Sequence, residues 1–340
     1  MADAKASTTI KVAVTQAEPE WLDLEKAVQK TCALIDEAAA NGAKLISFPE
    51  VWITGYPAWI WSRPVDFDLT SQYIKNSLRV PSPELSTIQA SAAANSIAVV
   101  LGFSENHENS IYIAQAIISP QGELLTHRRK IKPTHMERTL FGDAAGGSNT
   151  LHNTATVNLS STTSPTTVSS LACWEHAQPL LKYHTALQRP HLHVAAWPPI
   201  TPHGGPADPT LWSMSREGCR TLSRAFAIEA QCYVLHTSTV LTAKGIEAMG
   251  TAGAPIMGAA GGGCSCVFGP DGREVSEEGA LGGDEEGIVY AECDVEGAVL
   301  KAKGFLDLGG HYSRPDILWL GVDAGEKAHV VEGKGRRDAA

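Results

Sequence analysis

Cys173 stands in Leu171-Ala172-Cys173-Trp174-Glu175-His176, directly after the β-branched and small-residue run Thr166-Thr167-Val168-Ser169-Ser170. Such a run reads as a strand, and the thiol as presented by the turn that ends it. Upstream, Ser47-Phe48-Pro49-Glu50 closes another apolar run on a carboxylate, and between the two lies Arg128-Arg129-Lys130-Ile131-Lys132-Pro133-Thr134-His135. A nucleophile, a base and a cation, each at the end of an expected strand, are the parts of a covalent hydrolytic site. A neutral thiol is a modest nucleophile, so a neighbouring base or cation is what the chemistry requires.

Each residue also has an ordinary reading. Most cysteines are inert buried thiols, and a carboxylate at a strand end is commonly half-exposed. The run Arg128, Arg129, Lys130 and Lys132 has the look of a solvated basic face, and composition does not say which of the four points inward. The combination favours chemistry. Buried, Glu50 would have a raised pKa and be ready to take and return a proton. An inward ammonium would balance charge and stabilise an anionic intermediate, with the Trp174 backbone N–H as the nearest further donor.

The elements that must position these residues alternate. Ile10, Val12 and Val14 have strand period. Leu24, Val28, Cys32, Ile35 and Ala39 have helical spacing, with Asp23 to cap the start and Gly42 to close the end. Leu45–Phe48 reads as the next strand, which completes a βαβ unit. Ser82 and Pro83 suit the start of a helix bearing Leu85, Ile88 and Ala92, before a strand over Ile97–Leu101. Ile111–Ile118 and Glu123–His127 flank Pro120-Gln121-Gly122 as a hairpin. The second half repeats the alternation: a strand to Cys173, a helix over Pro179–Leu187, a strand over His191–Ala196 and a longer helix over Leu211–Glu229. Strands at Tyr233–His236, Cys266–Phe268 and Ile288–Ala291 follow. Leu159–Thr167, rich in Ser and Thr, is expected to be a surface loop, Met249–Gly263 to be irregular, and the last dozen residues to be disordered.

The 340 residues carry a net charge of -10, and with no basic stripe they argue against nucleic acid as a partner. Seven irregularly spaced cysteines, Cys32, Cys173, Cys219, Cys232, Cys264, Cys266 and Cys293, suit reduced thiols rather than a disulfide framework. No apolar run spans a bilayer and Met1–Ser7 has no signal core, so the expected location is cytoplasmic, with no membrane partner.

Taken together, Phe48-Pro49-Glu50-Val51-Trp52-Ile53 with Gly55-Tyr56-Pro57, His127 to Arg138, Cys173-Trp174-Glu175-His176, His193 to Pro198, and Gly310 to Asp316 resemble the nitrilase branch of the carbon–nitrogen hydrolase superfamily. The resemblance runs from about Ile10 to Asp316 in the family's order. It implies an α/β fold, a four-layer α-β-β-α sandwich, over residues 8–305, with 306–340 as a tail that contacts other subunits. It also implies that Glu50 is the general base, Lys130 the cation among the four, Cys173 the nucleophile and Glu137 a supporting acid. Trp174, Tyr56 and Trp197 would line the pocket. The implied reaction takes a small organic nitrile through a thioimidate and a thioester to a carboxylic acid and ammonia, with no metal and no organic cofactor. The implied assembly is a homo-oligomer, helical in the manner of relatives.

This chain departs from the family's pattern at Gly142-Asp143-Ala144-Ala145-Gly146-Gly147, in the long Leu159–Thr167 stretch and in an abbreviated Thr201–Leu211, which puts substrate range and assembly in doubt. A cyanide hydratase, an aliphatic amidase and, more remotely, a non-catalytic assembly protein are the alternatives. Fungal cyanide hydratases typically have Asn after Cys-Trp-Glu, where His176 stands here. A metal site at His184, His191, His193 and His203 lacks a carboxylate partner at zinc spacing. Cys264-Ser265-Cys266 lacks further ligands, and Gly258–Gly263 lacks the Gly-Lys-Ser/Thr of a phosphate loop; these read as structural histidines, small core residues and a flexible loop.

Overall fold

Strands that read as almost unbroken apolar runs need cover on both faces, and the fold supplies it. The computed structural model describes residues 9–146, 148–160, 164–277 and 281–325. In chain order its strands are β1 (Thr9–Gln16), β2 (Leu45–Ser47), β3 (Ala98–His107), β4 (Ser110–Ile118), β5 (Leu124–Arg129), β6 (Thr154–Val157), β7 (Thr166–Ala172), β8 (Leu192–Ala196), β9 (Tyr233–Thr237), β10 (Cys266–Phe268) and β11 (Gly287–Asp294). The helices are α1 (Leu24–Ala40), α2 (Phe67–Lys75), α3 (Pro83–Asn95), α4 (Ser148–Leu151), α5 (Pro179–Leu187), α6 (Arg216–Ala230), α7 (Ala243–Met249) and α8 (Gly297–Phe305). One sheet has the order β11-β1-β2-β3-β4-β5 and the other β10-β9-β8-β7-β6. In the first, β1, β2 and β3 are parallel; in the second, β7, β8 and β9 are.

Side-chain alternation sorts each strand between two cores. Val12, Val14, Leu45 and Val100 meet Val168, Val194 and Leu235 between the sheets. Ala13, Ile46, Val99 and Leu101 face Val28 and Ile35 of α1 and Leu85 and Ile88 of α3. On the far side, Ala195, Val234 and Phe268 pack on Phe226 and Ala227 of α6. Three cores between four layers make the expected α-β-β-α sandwich.

Local chemistry sets the element ends. Asp23 accepts from the Lys26 N–H at 3.0 Å to start α1, and Gly42, at φ +84°, follows its end. Ser82 accepts from the Leu85 N–H at 3.1 Å to start α3, with Pro83 as the first helical residue. The long helix begins at Arg216, later than its periodicity suggests. Ser215 caps it, and the residues before it form a 3-10 turn, Trp212–Met214. β3 runs past Leu101 to His107 because the polar residues that hide it in sequence are satisfied: Glu105 accepts from Arg129 at 2.6 and 2.8 Å. Residues 161–163 of the Ser/Thr-rich loop and the last dozen residues lie outside the described residues.

The parallel strands of both sheets deliver their carboxyl ends to one place. Ser47, the last residue of β2, shares a 2.8 Å hydrogen bond with Thr237, the last of β9. β5 is antiparallel to β4, and β4 to β3, so β5 ends on the same side as β2. Glu50, Lys130 and Cys173 follow β2, β5 and β7 respectively. Glu50 is not at the strand terminus itself: β2 stops at Ser47, and Glu50 lies in a turn whose next residue, Val51, has φ +51°. That turn lies against β3 at Gly102, where an added Cβ would overlap the Pro49 carbonyl oxygen and lie 3.2 Å from Glu50 Cα. Gly102→Ala should therefore shift the Glu50 turn, cost about 1–3 kcal/mol of stability and depress turnover. Thermal denaturation and activity matching wild type would show that the turn has room to spare.

Candidate active site

Lys130 continues β5 by one residue and is 1 % exposed. An ammonium removed from water needs anions, and it has two: Glu50 Oε1 at 2.9 Å and Glu137 Oε2 at 2.8 Å. Burial pulls against the ammonium, but the Glu137 and Glu50 carboxylates outweigh it and hold the Lys130 pKa well above its usual range. Glu137 belongs to the 3-10 turn His135–Thr139, and the same carboxylate accepts from the Thr134 N–H at 2.6 Å in a capping box. Its other oxygen accepts from the Tyr56 hydroxyl at 3.1 Å, and Tyr56 accepts in turn from Trp61 Nε1 at 3.3 Å.

Glu50 is equally buried. Burial, with the nearby Glu137 charge, pushes its pKa up to about 8 against the pull of Lys130. Among the described residues its second oxygen, Oε2, has no hydrogen-bond partner. The Cys173 thiol joins this group: carboxylate oxygens of Glu50 and Glu137 and the Cys173 sulfur all lie within 4.8 Å of one another. Burial and the Glu50 charge push the thiol pKa well above its usual value. Three such atoms resemble a metal cage, but the Lys130 ammonium already supplies the positive charge between the two acids.

Cys173 opens a 3-10 turn, Cys173–Ala177, with φ +49°, a left-handed conformation that costs a non-glycine residue about 1–3 kcal/mol. Its neighbours hold it there. Glu175 accepts from the Ala172 N–H at 2.9 Å and the Ile131 N–H at 3.0 Å, and Arg128 grips the same carboxylate through two bonds of 2.8 and 2.6 Å. Burial opposes the Glu175 charge, but Arg128 and the two backbone donors outweigh it and hold the carboxyl below its usual range. One buried ion pair thus ties the cysteine turn to the end of the lysine strand. His176 Nδ1 lies 2.8 Å from the Cys173 carbonyl oxygen.

Strand parity separates Arg128 and Lys130 from Arg129, and Lys132 lies beyond the end of β5. Arg128 and Lys130 point inward; Arg129 pairs with Glu105 and Lys132, exposed, with Asp143. The Arg128–Glu175 pair had no role assigned from sequence, although inward parity with Lys130 and a place two residues after Cys173 were both signals of it. Cys173 and Glu137 open into a cavity of about 600 Å³ lined also by Tyr56, Trp174 and Trp197. Trp197 is fully buried and donates from Nε1 to Ser223 at 3.0 Å. Trp61, Ile200, Leu211, Met214 and Met257 make the remaining wall largely apolar. The glycine loop expected to be flexible is partly pinned: Gly261 and Leu241 exchange two 2.8 Å backbone bonds, and Gly261 lines the cavity.

The histidines read as a poor metal set have other partners. His191 lies before β8, half-buried, and accepts from the Thr167 N–H at 2.9 Å. His193 is wholly buried and bonds Ser169 and His176.

The carbon–nitrogen hydrolase family model matches residues 11–301. The chain belongs to the carbon–nitrogen hydrolase family, on its nitrilase branch. It is 56% identical over 326 residues to an arylacetonitrilase of Aspergillus kawachii (strain NBRC 4308), covering 96% of this chain and 95% of that one. It is 57% identical over 326 residues to one of Macrophomina phaseolina (strain MS6), covering 95% and 94%. Among solved structures it resembles a carbon–nitrogen hydrolase from Helicobacter pylori G27, at TM-score 0.65 and 17% identity over 88% of this chain and 94% of that chain. An amidase of Nesterenkonia AN1 from the nitrilase superfamily gives TM-score 0.59 and 18% identity over 88% and 96%. These two likenesses concern the fold.

The raised Glu50 pKa has a consequence for the stability of this nitrilase. Unfolded, the group titrates near 4.5; folded, near 8. Between those values the folded chain keeps a proton that the unfolded chain has lost. The contribution is therefore complete below about pH 4.5 and is lost as pH rises through about 8. Glu50→Gln removes this titration, so its melting temperature should fall less than that of wild type across this range. Parallel melting curves for the two proteins would contradict the assignment.

Proposed function

We propose that this nitrilase converts arylacetonitriles to carboxylic acids and ammonia, with Cys173 as nucleophile, Glu50 as general base, Lys130 as the cation that stabilises developing negative charge, and Glu137 as its supporting acid. The observation that carries this reading is the Lys130 ammonium bonded to both Glu50 and Glu137, with the Cys173 sulfur within 4.8 Å of those carboxylates. The unpaired Glu50 Oε2 takes the thiol proton as the sulfur bonds to the nitrile carbon. Glu50 gives that proton to the nitrile nitrogen and a thioimidate forms, with Lys130 and the Trp174 N–H beside the nitrogen. Glu50 then takes a proton from water as its oxygen adds to the thioimidate carbon and gives it to the nitrogen; the tetrahedral adduct passes its hydroxyl proton to the same nitrogen, ammonia leaves and a thioester remains. A second water breaks the carbon–sulfur bond, releases the acid and returns the thiol. The balance is one nitrile and two waters to one acid and one ammonia.

The arylaceto preference rests on the names of the similar enzymes and on a cavity, lined by Tyr56, Trp61, Trp174 and Trp197, roomy enough for an aromatic ring. A site of this size counts against cyanide as the main substrate. Seven free cysteines support a reducing, cytoplasmic setting, and among the described residues no helix is long and apolar enough to cross a membrane. The tail from 306 onward exposes Ile317, Leu318 and Trp319, which supports a role in joining subunits.

Purified protein should release ammonia from phenylacetonitrile faster than from a short aliphatic nitrile or an amide. Formamide from cyanide as the dominant product would sink the reading. Cys173→Ala should lose turnover by several orders of magnitude while keeping its fold. Lys130→Met should be far more damaging than Lys132→Met; equal losses would mean the wrong lysine. Truncation after Asp316 should reduce oligomer size by sedimentation, and an unchanged profile removes the tail from assembly.

A further inference from the structure

Two buried histidines behind the cysteine turn are not used by the reaction just described. His176, His193 and Ser169 are all 0 % exposed. His176 Nδ1 is 2.8 Å from the Cys173 carbonyl oxygen, His176 Nε2 is 3.0 Å from His193 Nε2, and His193 Nδ1 is 2.7 Å from Ser169 Oγ. A carbonyl only accepts, so Nδ1 of His176 carries a proton. Burial depresses the His176 pKa to about 4 and that of His193 well below its usual value, so both rings are neutral with one proton each. Nε2 of His176 is then an acceptor and Nε2 of His193 must donate to it. That leaves Nδ1 of His193 as an acceptor, and the Ser169 hydroxyl donates. The protons of the whole chain are dictated by its end at Cys173. Trp197 lies over the His176 ring at 5.4 Å and 25°, and Phe226 lies 4.2 Å from the His193 ring, so neither imidazole is free to turn.

The held carbonyl has a partner in the same rigid unit. A trans peptide is planar, with its C=O and N–H pointing opposite ways. The carbonyl of Cys173 and the N–H of Trp174 belong to one such plane. We propose that the chain Ser169–His193–His176 locks the Cys173–Trp174 peptide and so aims the Trp174 N–H at the nitrogen of the reacting nitrile, which makes His176 and His193 positioning residues. This rests on the function proposed above, with Cys173 as nucleophile. It assigns the left-handed turn a purpose: the backbone is held on either side of the φ +49° residue, the Ala172 N–H by donating to Glu175 and the Cys173 carbonyl by accepting from His176.

Two pairs of variants test it. Asn places Nδ2 where His has Nδ1, so His176→Asn keeps the donor to the carbonyl and His176→Leu does not. Gln places Nε2 where His has Nε2, so His193→Gln keeps the donor to His176 and His193→Leu does not. On phenylacetonitrile, His176→Leu should lower kcat roughly 10–100-fold with KM nearly unchanged, and His176→Asn should recover most of the loss. His193→Leu should lower kcat less, and His193→Gln should restore it. Equal kcat in the Leu and Asn variants, or loss expressed in KM alone, overturns the proposal. Should His176→Leu fail to fold, the His193 pair decides, and equal loss in its two members overturns the chain. Carbamidomethylation of Cys173 by iodoacetamide, followed by mass spectrometry of its peptide, separates the two levels. A wild type that turns over no nitrile, with the Leu variants still alkylated more slowly than their polar counterparts, refutes the function and leaves the chain standing. A wild type that turns over nitrile while all four variants match it refutes the chain alone.

Discussion

A buried ammonium is stable only where anions surround it, and Lys130 has two carboxylates within 2.9 Å. Most of the site is organised by that requirement. Glu50 and Glu137 come from different parts of the chain and would repel one another without the lysine between them. With it, one positive charge serves two acids, and burial raises the Glu50 pKa against the pull of Lys130, which readies that carboxylate to take and return a proton. The same arrangement, with burial, holds the pKa of the neighbouring Cys173 thiol well above its usual value.

Around this centre, two further networks hold backbone rather than charge. Arg128 and Glu175 join the end of β5 to the cysteine turn through a pair buried on all sides. Behind the turn, neutral histidines and a serine meet the Cys173 carbonyl. The first network is ionic and the second wholly uncharged. Both suit a place where water is excluded, because the polar atoms that hold the turn, the Glu175 oxygens and the His176 ring nitrogens, have defined partners. The sandwich supports them by bringing the carboxyl ends of parallel strands from two sheets to the same side.

Much of the fold could be read from residue patterns. The apolar runs at Val12–Val14, Leu45–Phe48, Ile97–Leu101 and Val194–Ala196 are strands because both faces are covered, and the caps at Asp23 and Ser82 follow from side-chain chemistry alone. What escaped the pattern had polar residues satisfied at a distance. β3 continues through Ser104, Glu105 and Asn106, a polar stretch that is buried only because β5 brings Arg129 to Glu105. The short strand β6 and the helix α8 carry little periodicity of their own.

By itself the sequence determined which residue types stand at the strand ends, and with them the resemblance to nitrilases, since local motifs such as Cys173-Trp174-Glu175-His176 survive intact in one stretch of chain. The tertiary structure decided which basic side chains turn inward, that Glu175 serves Arg128, and that His176 and His193 meet behind the thiol. The His176–His193, Arg128–Glu175 and Lys130–Glu50 contacts join residues 17, 47 and 80 positions apart in the chain. No local periodicity encodes them, because whether a charge is buried or solvated depends on what the other sheet places against it.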